Sequence, residues 1–402
     1  MSVICLPGVV QLHESALAIA KSDHVVETAM GRIRLSVFRD IRLAENAWQT
    51  LQSITAGAPE QSYEWAKAWT RCNAQDSGNN AAIVCGRSET GEVHFVWPFE
   101  VVTQKRLRCL KWIGQDRANH NMGLNTLEFS RGVTASDVKA LLCRAAEITG
   151  DVSAAIFRNQ PVEWNGIPNP LRFLTHHPSA NQGHMLLLDS DYDTLYRNRF
   201  SGKSRNLLAR KARKLDKLGK VEFGWARSDE ERFELLNAQF QQKSRQSGSQ
   251  GIQNDLDDDE HRAFVRDIAC KSSGGDAVLE CAYLKLGGYP VAISSGVFYA
   301  DTFSLLLTSM DDGPARKFSP DMLLMHYQIE EACRRGLNFF NMGAGDASYK
   351  SAWCDIDVPL FDSAIAFEEW GYLVTLPLMA GAALNRFSRT FIPRTFIPSQ
   401  TF

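Results

Sequence analysis

Few folds can accommodate the order of elements between Val278 and Met342. Val278–Leu286, the turn Gly287-Gly288, Tyr289–Tyr299, the turn Ala300-Asp301 and Thr302–Ser309 read as a three-strand antiparallel meander. Ser319 stands where it would cap a helix that starts at Pro320 and carries Met322, Met325, Ile329 and Cys333 on its buried face. Arg334 and Arg335 suit the negative end of that helix, and Gly336 stops it. Leu337–Met342 is then a strand again. A meander followed by a helix-and-strand crossover implies a mixed, mostly antiparallel sheet with helices packed on it.

The first half repeats this pattern without repeating its residues. Arg32–Phe38 alternates as a half-buried strand, and helical patterns follow at Leu43–Gln52 and Ser62–Cys72. Strands are expected at Ala81–Cys85, Val93–Val102 and Leu107–Ile113, then a helix at Ser136–Thr149 and a strand at Ser153–Phe157. Asn159–Asn181 contains Pro161, Pro168 and Pro170 and reads as the connection between lobes. Later, Ser228 and Glu231 form a capping box for a helix with Phe233, Leu236 and Phe240 on one face, and another helix covers Glu260–Lys271. The expected fold class is α/β of the α+β kind, with two similar lobes. The expected division is a poorly ordered leader at 1–30, an N-terminal lobe at 31–180, a C-terminal lobe at 181–370 and a tail at 371–402.

Size and charge narrow the function. A chain of 402 residues with 44% hydrophobic residues can build two cores. Its net charge of −2 argues against a surface that coats nucleic acid or anionic membrane as a whole. Nine cysteines, an odd number with no Cys-x-x-Cys pair, read as reduced thiols rather than a disulfide framework or a zinc site. No secretory signal or spanning segment is expected, which points to the cytoplasm. No metal site is expected either, since neither His-Glu-x-x-His nor a spaced His/Asp cluster occurs. Gly202-Lys203-Ser204 resembles a P-loop end, but Arg197 stands where the first glycine belongs.

Three features carry chemistry. Arg197–Lys220 holds basic residues against the single acid Asp216, with Leu207, Leu208, Leu215 and Leu218 marking a helix; Lys203, Arg205 and Arg210 on it are candidate anion or substrate contacts. The loop ahead of Ser319, with Arg316 and Lys317, leads into a helix N-terminus whose amides and dipole favour an anion such as a phosphate. Finally, Gly343-Ala344-Gly345-Asp346 at a strand end lets backbone approach a ligand, and delivers Asp346, Tyr349 and Lys350 within a few residues.

The run Gly-x-Gly-Asp-x-x-Tyr-Lys-x-x-Trp from Gly343 to Trp353, after the strand–loop–helix–strand order of 302–342, resembles the GNAT-fold acyltransferases of the CelD-like branch of cellulose and exopolysaccharide biosynthesis. That branch is similar to the FemABX transferases, which join two GNAT-like lobes in tandem. The N-terminal lobe resembles it through Tyr63-Glu64-Trp65 and Trp112-Ile113-Gly114; Asn341 is a departure, standing where the branch more often has an acid. The resemblance implies an acyltransferase moving an acyl group from acyl-CoA (acetyl-CoA) to an amine or hydroxyl of a sugar or cell-surface polysaccharide precursor. The donor would lie between the strands at 302–309 and 337–342, contacting Ser309, Arg316, Lys317, Phe318, Ser319, Asp321, Gly343 and Gly345. Asp346 would act as base, Tyr349 would protonate the leaving thiolate, and Lys350 would offset charge.

Two other classes remain open. One is a FemABX-like transferase using aminoacyl-tRNA, with the basic helix holding RNA. The other is a non-catalytic component of a polysaccharide synthesis or export assembly, with peripheral membrane contact through residues 371–394.

Overall fold

The computed structural model describes residues 24–55, 57–73, 80–250, 258–270, 279–345 and 347–377. The first half builds a sheet from β1 (Val25–Thr28), β2 (Gly31–Phe38), β3 (Ala81–Arg87), β4 (Val93–Gln104), β5 (Leu107–Trp112), β6 (Leu124–Asn125) and β7 (Ala154–Pro161). A short ribbon of β8 (Glu163–Trp164) and β9 (Ile167–Pro168) follows, then β10 (His176–Pro178). The second half contributes β11 (Gly183–Leu187), β12 (Val221–Trp225), β13 (Leu279–Leu286), β14 (Tyr289–Tyr299), β15 (Thr302–Met310), β16 (Phe339–Ala344) and β17 (Ile356–Val358), and the chain ends its strands with β18 (Leu360–Ala366).

Two sheets result, and their orders correspond. The first runs β1-β2-β3-β4-β5-β7-β18-β10 with β6 paired to β4; the second runs β12-β13-β14-β15-β16-β11-β17. In each, a meander ends in a strand that crosses over through a helix to a parallel partner. α4 (Ala135–Thr149) makes this crossover in the first lobe and α9 (Pro320–Arg334) in the second, after α1 (Glu45–Ile54), α2 (Tyr63–Cys72), α3 (Leu127–Gly132), α5 (Tyr192–Arg199), α6 (Gly202–Asp216), α7 (Asp229–Gln250) and α8 (Asp259–Ile268). A short α10 (Ser348–Trp353) follows β16. The molecule is thus mixed α/β, with two tandem lobes of corresponding topology. Beyond each crossover strand lies one from a distant part of the chain: β18 beside β7, and β11 beside β16. The chain passes from the first sheet to the second between β10 and β11, and β18 carries residues 360–366 back to the first.

The lobes meet on a continuous apolar seam. Trp65 and Ala68 of α2 enter the core that Leu236, Phe240, Phe264, Ile268 and Ile293 form in the second lobe. Trp65 meets Phe264 edge to face at 4.9 Å.

Local expectations need three corrections. The leader is ordered from residue 24 onward, where β1 pairs antiparallel with β2 through the turn Ala29-Met30; residues 1–23 lie outside the described residues. The basic stretch is two helices, not one. It breaks at Phe200-Ser201, where Ser201 is extended and its hydroxyl accepts from the Ser204 amide. Of its four leucines only Leu215 is fully buried, and Leu218 is 51% exposed. Ser319, the third case, stands at the start of α9 in the left-handed region (φ +53°) and gives that helix no side-chain cap.

Candidate active site

β15 and β16 run parallel for only three pairs, Thr302 with Phe339, Phe303 with Phe340 and Ser304 with Asn341. Beyond them β15 continues to Met310 without β16, which is paired to β11 on its other edge from Phe339 to Ala344. Asn341, fully buried, helps fix this parting: its side-chain oxygen accepts from the Gly343 amide at 2.9 Å. A bulge adds to it. Ser295 of β14 faces Leu307 and Gly296 faces Leu305, so Leu306 is the extra residue.

The first lobe reaches into the gap. Asn119 donates from Nδ2 to the Leu305 carbonyl at 3.3 Å and accepts at Oδ1 from the Ala344 amide at 3.2 Å, spanning the two strands. Gly343 is required there: it has φ +74°, and a Cβ on it would stand 2.5 Å from Asn119 Oδ1. Glu60, in a tight turn (Pro59–Gln61) ahead of α2, lies against Asn119 with its carboxylate buried. Burial pushes its pKa up to about 7, and the amides of Asn119 offset only part of that. His120 is also fully buried, its ring tilted at 46° against Trp164 with centroids 4.8 Å apart and neither ring nitrogen hydrogen-bonded. Burial, and then the charge of Lys350, lower its pKa to about 3.

The equivalent places in the first lobe are filled. Where β5 and β7 part, Gln115 and Asn121 occupy the gap: the Arg158 amide donates to Gln115 Oε1 at 3.0 Å, and Asn121 Nδ2 donates to the Gln115 and Arg158 carbonyls at 3.0 Å each. The N-terminus of α4 is closed by its own capping box. The Thr134 hydroxyl accepts from the Asp137 amide, and the Asp137 carboxylate accepts from the Thr134 amide. The start of α9 has no such cap, and cations surround it. Lys211 of α6 donates to Ser319 Oγ at 2.8 Å, while Arg316 and Lys317 are exposed in the turn before it. The uncapped helix start and the strand gap lie at the same end of β15.

Of the residues expected to act, Tyr349, in the first turn of α10, is half-buried, and burial, with Cys354 and Asp321 nearby, raises its pKa. Lys350 is buried and donates to the carbonyls of Gly343 at 3.2 Å and Ala344 at 2.7 Å, tying down the strand end. Asp346 lies outside the described residues. Gly345 has φ +98° with open space where a Cβ would stand. Ser309 is turned away from the gap, its hydroxyl donating to Gln242 at 2.6 Å. Phe318 packs in the α6–α9 core with the Lys317 ammonium 5.2 Å from its ring centre, and Asp321 Oδ1 is buried without a hydrogen bond. On α6, Lys203 and Arg210 are exposed, and Arg205 donates to the Arg197 carbonyl at 3.4 Å. The structure therefore gathers Arg316, Lys317, Ser319, Asp321, Gly343, Tyr349 and Lys350 around one end of β15, adds Lys211, and leaves Ser309 facing elsewhere.

Asn119, Glu60 and His120 escaped the sequence reading because they come from the other lobe. Their one local signal is the run Asn119-His120-Asn121, three hydrogen-bonding side chains that the chain buries or half-buries. Among the described residues no group of three or more His, Cys, Asp or Glu could hold a metal ion.

Comparison with known proteins now bears on the second lobe. Residues 202–351 match the family model described as the acetyltransferase (GNAT) domain. The match begins with α6 and ends at α10, so it contains the strand gap, the uncapped α9 start and Lys350, but covers less than half of the chain. Among solved structures, FemX is similar with a TM-score of 0.54 and 12% identity, over 86% of this chain and 99% of that one. A conserved protein of unknown function from Bacteroides thetaiotaomicron is similar with a TM-score of 0.53 and 12% identity, over 83% and 100%. At these identities the likeness is one of fold. No curated protein matches the chain.

Proposed function

We propose that the protein is a GNAT-type acyltransferase that moves an acyl group from acyl-CoA to an amine or hydroxyl, in the second lobe. The observation that carries this is the contrast between the helix starts: α4 is closed by its own Thr134–Asp137 capping box, while α9 starts uncapped beside Lys211, Arg316 and Lys317. The donor's pyrophosphate would rest at the α9 start on Lys211, Arg316 and Lys317, where the dipole and charge agree. Its pantetheine arm would run along the free edge of β15 to the gap at Asn119.

The acceptor then attacks the thioester carbonyl, forming a C–N or C–O bond as the C–S bond breaks. We assign removal of the acceptor's proton to Glu60, whose buried carboxyl titrates near neutrality, as a general base should. Asp346, which the GNAT resemblance favours for this step, is the alternative base. Tyr349, kept protonated by burial, would return a proton to the CoA thiolate. Lys350 would hold the Gly343 and Ala344 carbonyls in place, a positioning role. A sugar or polysaccharide precursor of the CelD-like kind is the acceptor class we favour.

Titration with CoA and acetyl-CoA tests the donor seat. Micromolar binding is expected, and loss of about 1.5–3 kcal/mol per charge-assisted contact predicts at least tenfold weakening when Arg316 and Lys317 are both alanine. Unchanged affinity in that variant would defeat the assignment. The exposed cations of α6 favour the aminoacyl-tRNA reading as the alternative; it requires salt-sensitive tRNA binding and no affinity for CoA. The contribution of the tail to a membrane-associated assembly rests on Trp370, Tyr372, Leu373 and Leu376, which are exposed, while Val374 is buried. Residues 378–402 lie outside the described residues, and no described helix is long and apolar enough to cross a membrane. Vesicle flotation with and without residues 371–402 decides that point.

A further inference from the structure

A cleft with a cavity volume of about 70 Å³ opens between the lobes on the face of β15 that carries α8. Trp65, Phe264, Val265, Ile268, Leu306 and Leu307 form most of its wall, and among the described residues the only charged or titratable side chains in its lining are Arg117 and His261. Arg117 is paired with Asp258 at 3.3 Å, and among the described residues no carboxylate or hydroxyl lines the cleft. The β15 bulge is the reason the wall is apolar. An unbroken strand sends successive side chains to opposite faces, so one of two adjacent leucines would point away. With Leu306 inserted, both Leu306 and Leu307 pack with the α8 core, and both stay only half-buried although Leu305 before them is buried.

Asn119 belongs to both places. It lines the cleft, and it spans the gap between β15 and β16. A group bound at that gap therefore stands at the entrance of an apolar cavity that both lobes build.

We propose that this cleft receives the hydrocarbon chain of the acyl donor, so that the protein selects acyl groups longer than acetyl. The inference rests on the donor seat proposed above and names the acyl class that seat takes. A polar acceptor such as a sugar would lose hydrogen bonds to water here and regain few, whereas methylenes gain by leaving water. Each methylene fully buried is worth about fourfold in affinity, so about two methylenes seated in the cleft separate hexanoyl from acetyl by more than tenfold.

The test is calorimetric titration of the full chain with CoA, acetyl-CoA, hexanoyl-CoA and decanoyl-CoA, repeated on Val265→Phe and Ile268→Phe. CoA itself is the control for folding and for the donor seat. The expected result is at least tenfold tighter binding of hexanoyl-CoA than acetyl-CoA, lost in both variants while CoA binds each as it binds the parent. Equal affinity for acetyl-CoA and hexanoyl-CoA, or a gain that survives both substitutions, overturns the cleft assignment and leaves the donor seat standing. Failure of CoA and every ester to bind the folded parent overturns both. If one variant unfolds, the other carries the comparison.

Discussion

Replacing Glu60 by glutamine should make the protein more stable and less active, and the two effects should depend on pH in a way that no surface change would mimic. The carboxyl is buried against Asn119 and titrates at about 7, against 4.5 for a solvated glutamate. Between those values the folded chain keeps a proton that the unfolded chain has lost. Folding is then linked to proton uptake, so stability falls as pH rises from about 4.5 through about 7 and stays reduced above it. A gap of about two and a half units corresponds to roughly 3 kcal/mol. Glutamine has nearly the same shape and stays neutral, so Glu60→Gln should match the parent at pH 4.5 and exceed it by up to that amount at pH 8. With about 2.1 cal/mol/K of unfolding entropy per residue, a chain of this length unfolding as a unit would gain about 4 °C in Tm at pH 8. Thermal unfolding of parent and variant from pH 4.5 to 8.5 measures it. Turnover with acetyl-CoA and an accepting amine should fall by about 10²–10⁴ if Glu60 is the base. A Tm difference that does not change with pH, or a variant less stable at pH 8, would refute the reasoning.

Other consequences follow from the same seam. His120, neutral in the fold with a pKa near 3, loses protons relative to the unfolded chain below about 6.5, so its contribution is lost as pH falls from there. His120→Leu should therefore gain stability relative to the parent as pH falls from 6.5 to 4.5, a difference read from paired urea titrations. Gly343→Ala forces a Cβ to within 2.5 Å of Asn119 at a positive φ and should cost about 1–3 kcal/mol; the cost should shrink in an Asn119→Ala background, a coupling that a double-mutant cycle reads directly. Arg232 is 1% exposed, contacts Asp229, lies 3.5 Å from Glu280 and donates to the Ala269 carbonyl at 2.9 Å. Arg232→Met should lose about 3–5 kcal/mol in equilibrium unfolding, because it removes the buried guanidinium that pairs with Asp229 and Glu280 and holds the Ala269 carbonyl.

The elements themselves were legible because their signals are local. Alternation from Arg32 to Phe38, the meander turns at Gly287-Gly288 and Ala300-Asp301, and Gly336 behind a helix each fix a shape within a few residues. The failures were local as well. Phe200-Ser201 breaks the basic stretch because the Ser201 hydroxyl offers the Ser204 amide a cap, a signal that the surrounding run of Lys and Arg outweighed. Ser319 has the residue type of a cap, but a left-handed backbone aims its hydroxyl at Lys211 instead. Residue type alone does not tell those two serines apart.

The site was half legible for a different reason. Arg316, Lys317, Gly343, Tyr349 and Lys350 are close in sequence to the strands they serve, and a motif can hold them together. Glu60 and Asn119 reach the same gap from the other lobe, and nothing near them in sequence announces a partner more than 180 residues away. Yet the second lobe bears their imprint. Gly343 is a glycine because Asn119 fills the space its side chain would need, and the Ala344 amide has its partner in Asn119. The first lobe has meanwhile closed its own strand gap with Gln115 and Asn121 and its own helix start with Asp137. A lobe that plugs its own seat and extends side chains into its neighbour's is better explained as the wall of a shared site than as an idle copy. On that reasoning, separating the lobes should abolish transfer even where the second lobe still binds CoA.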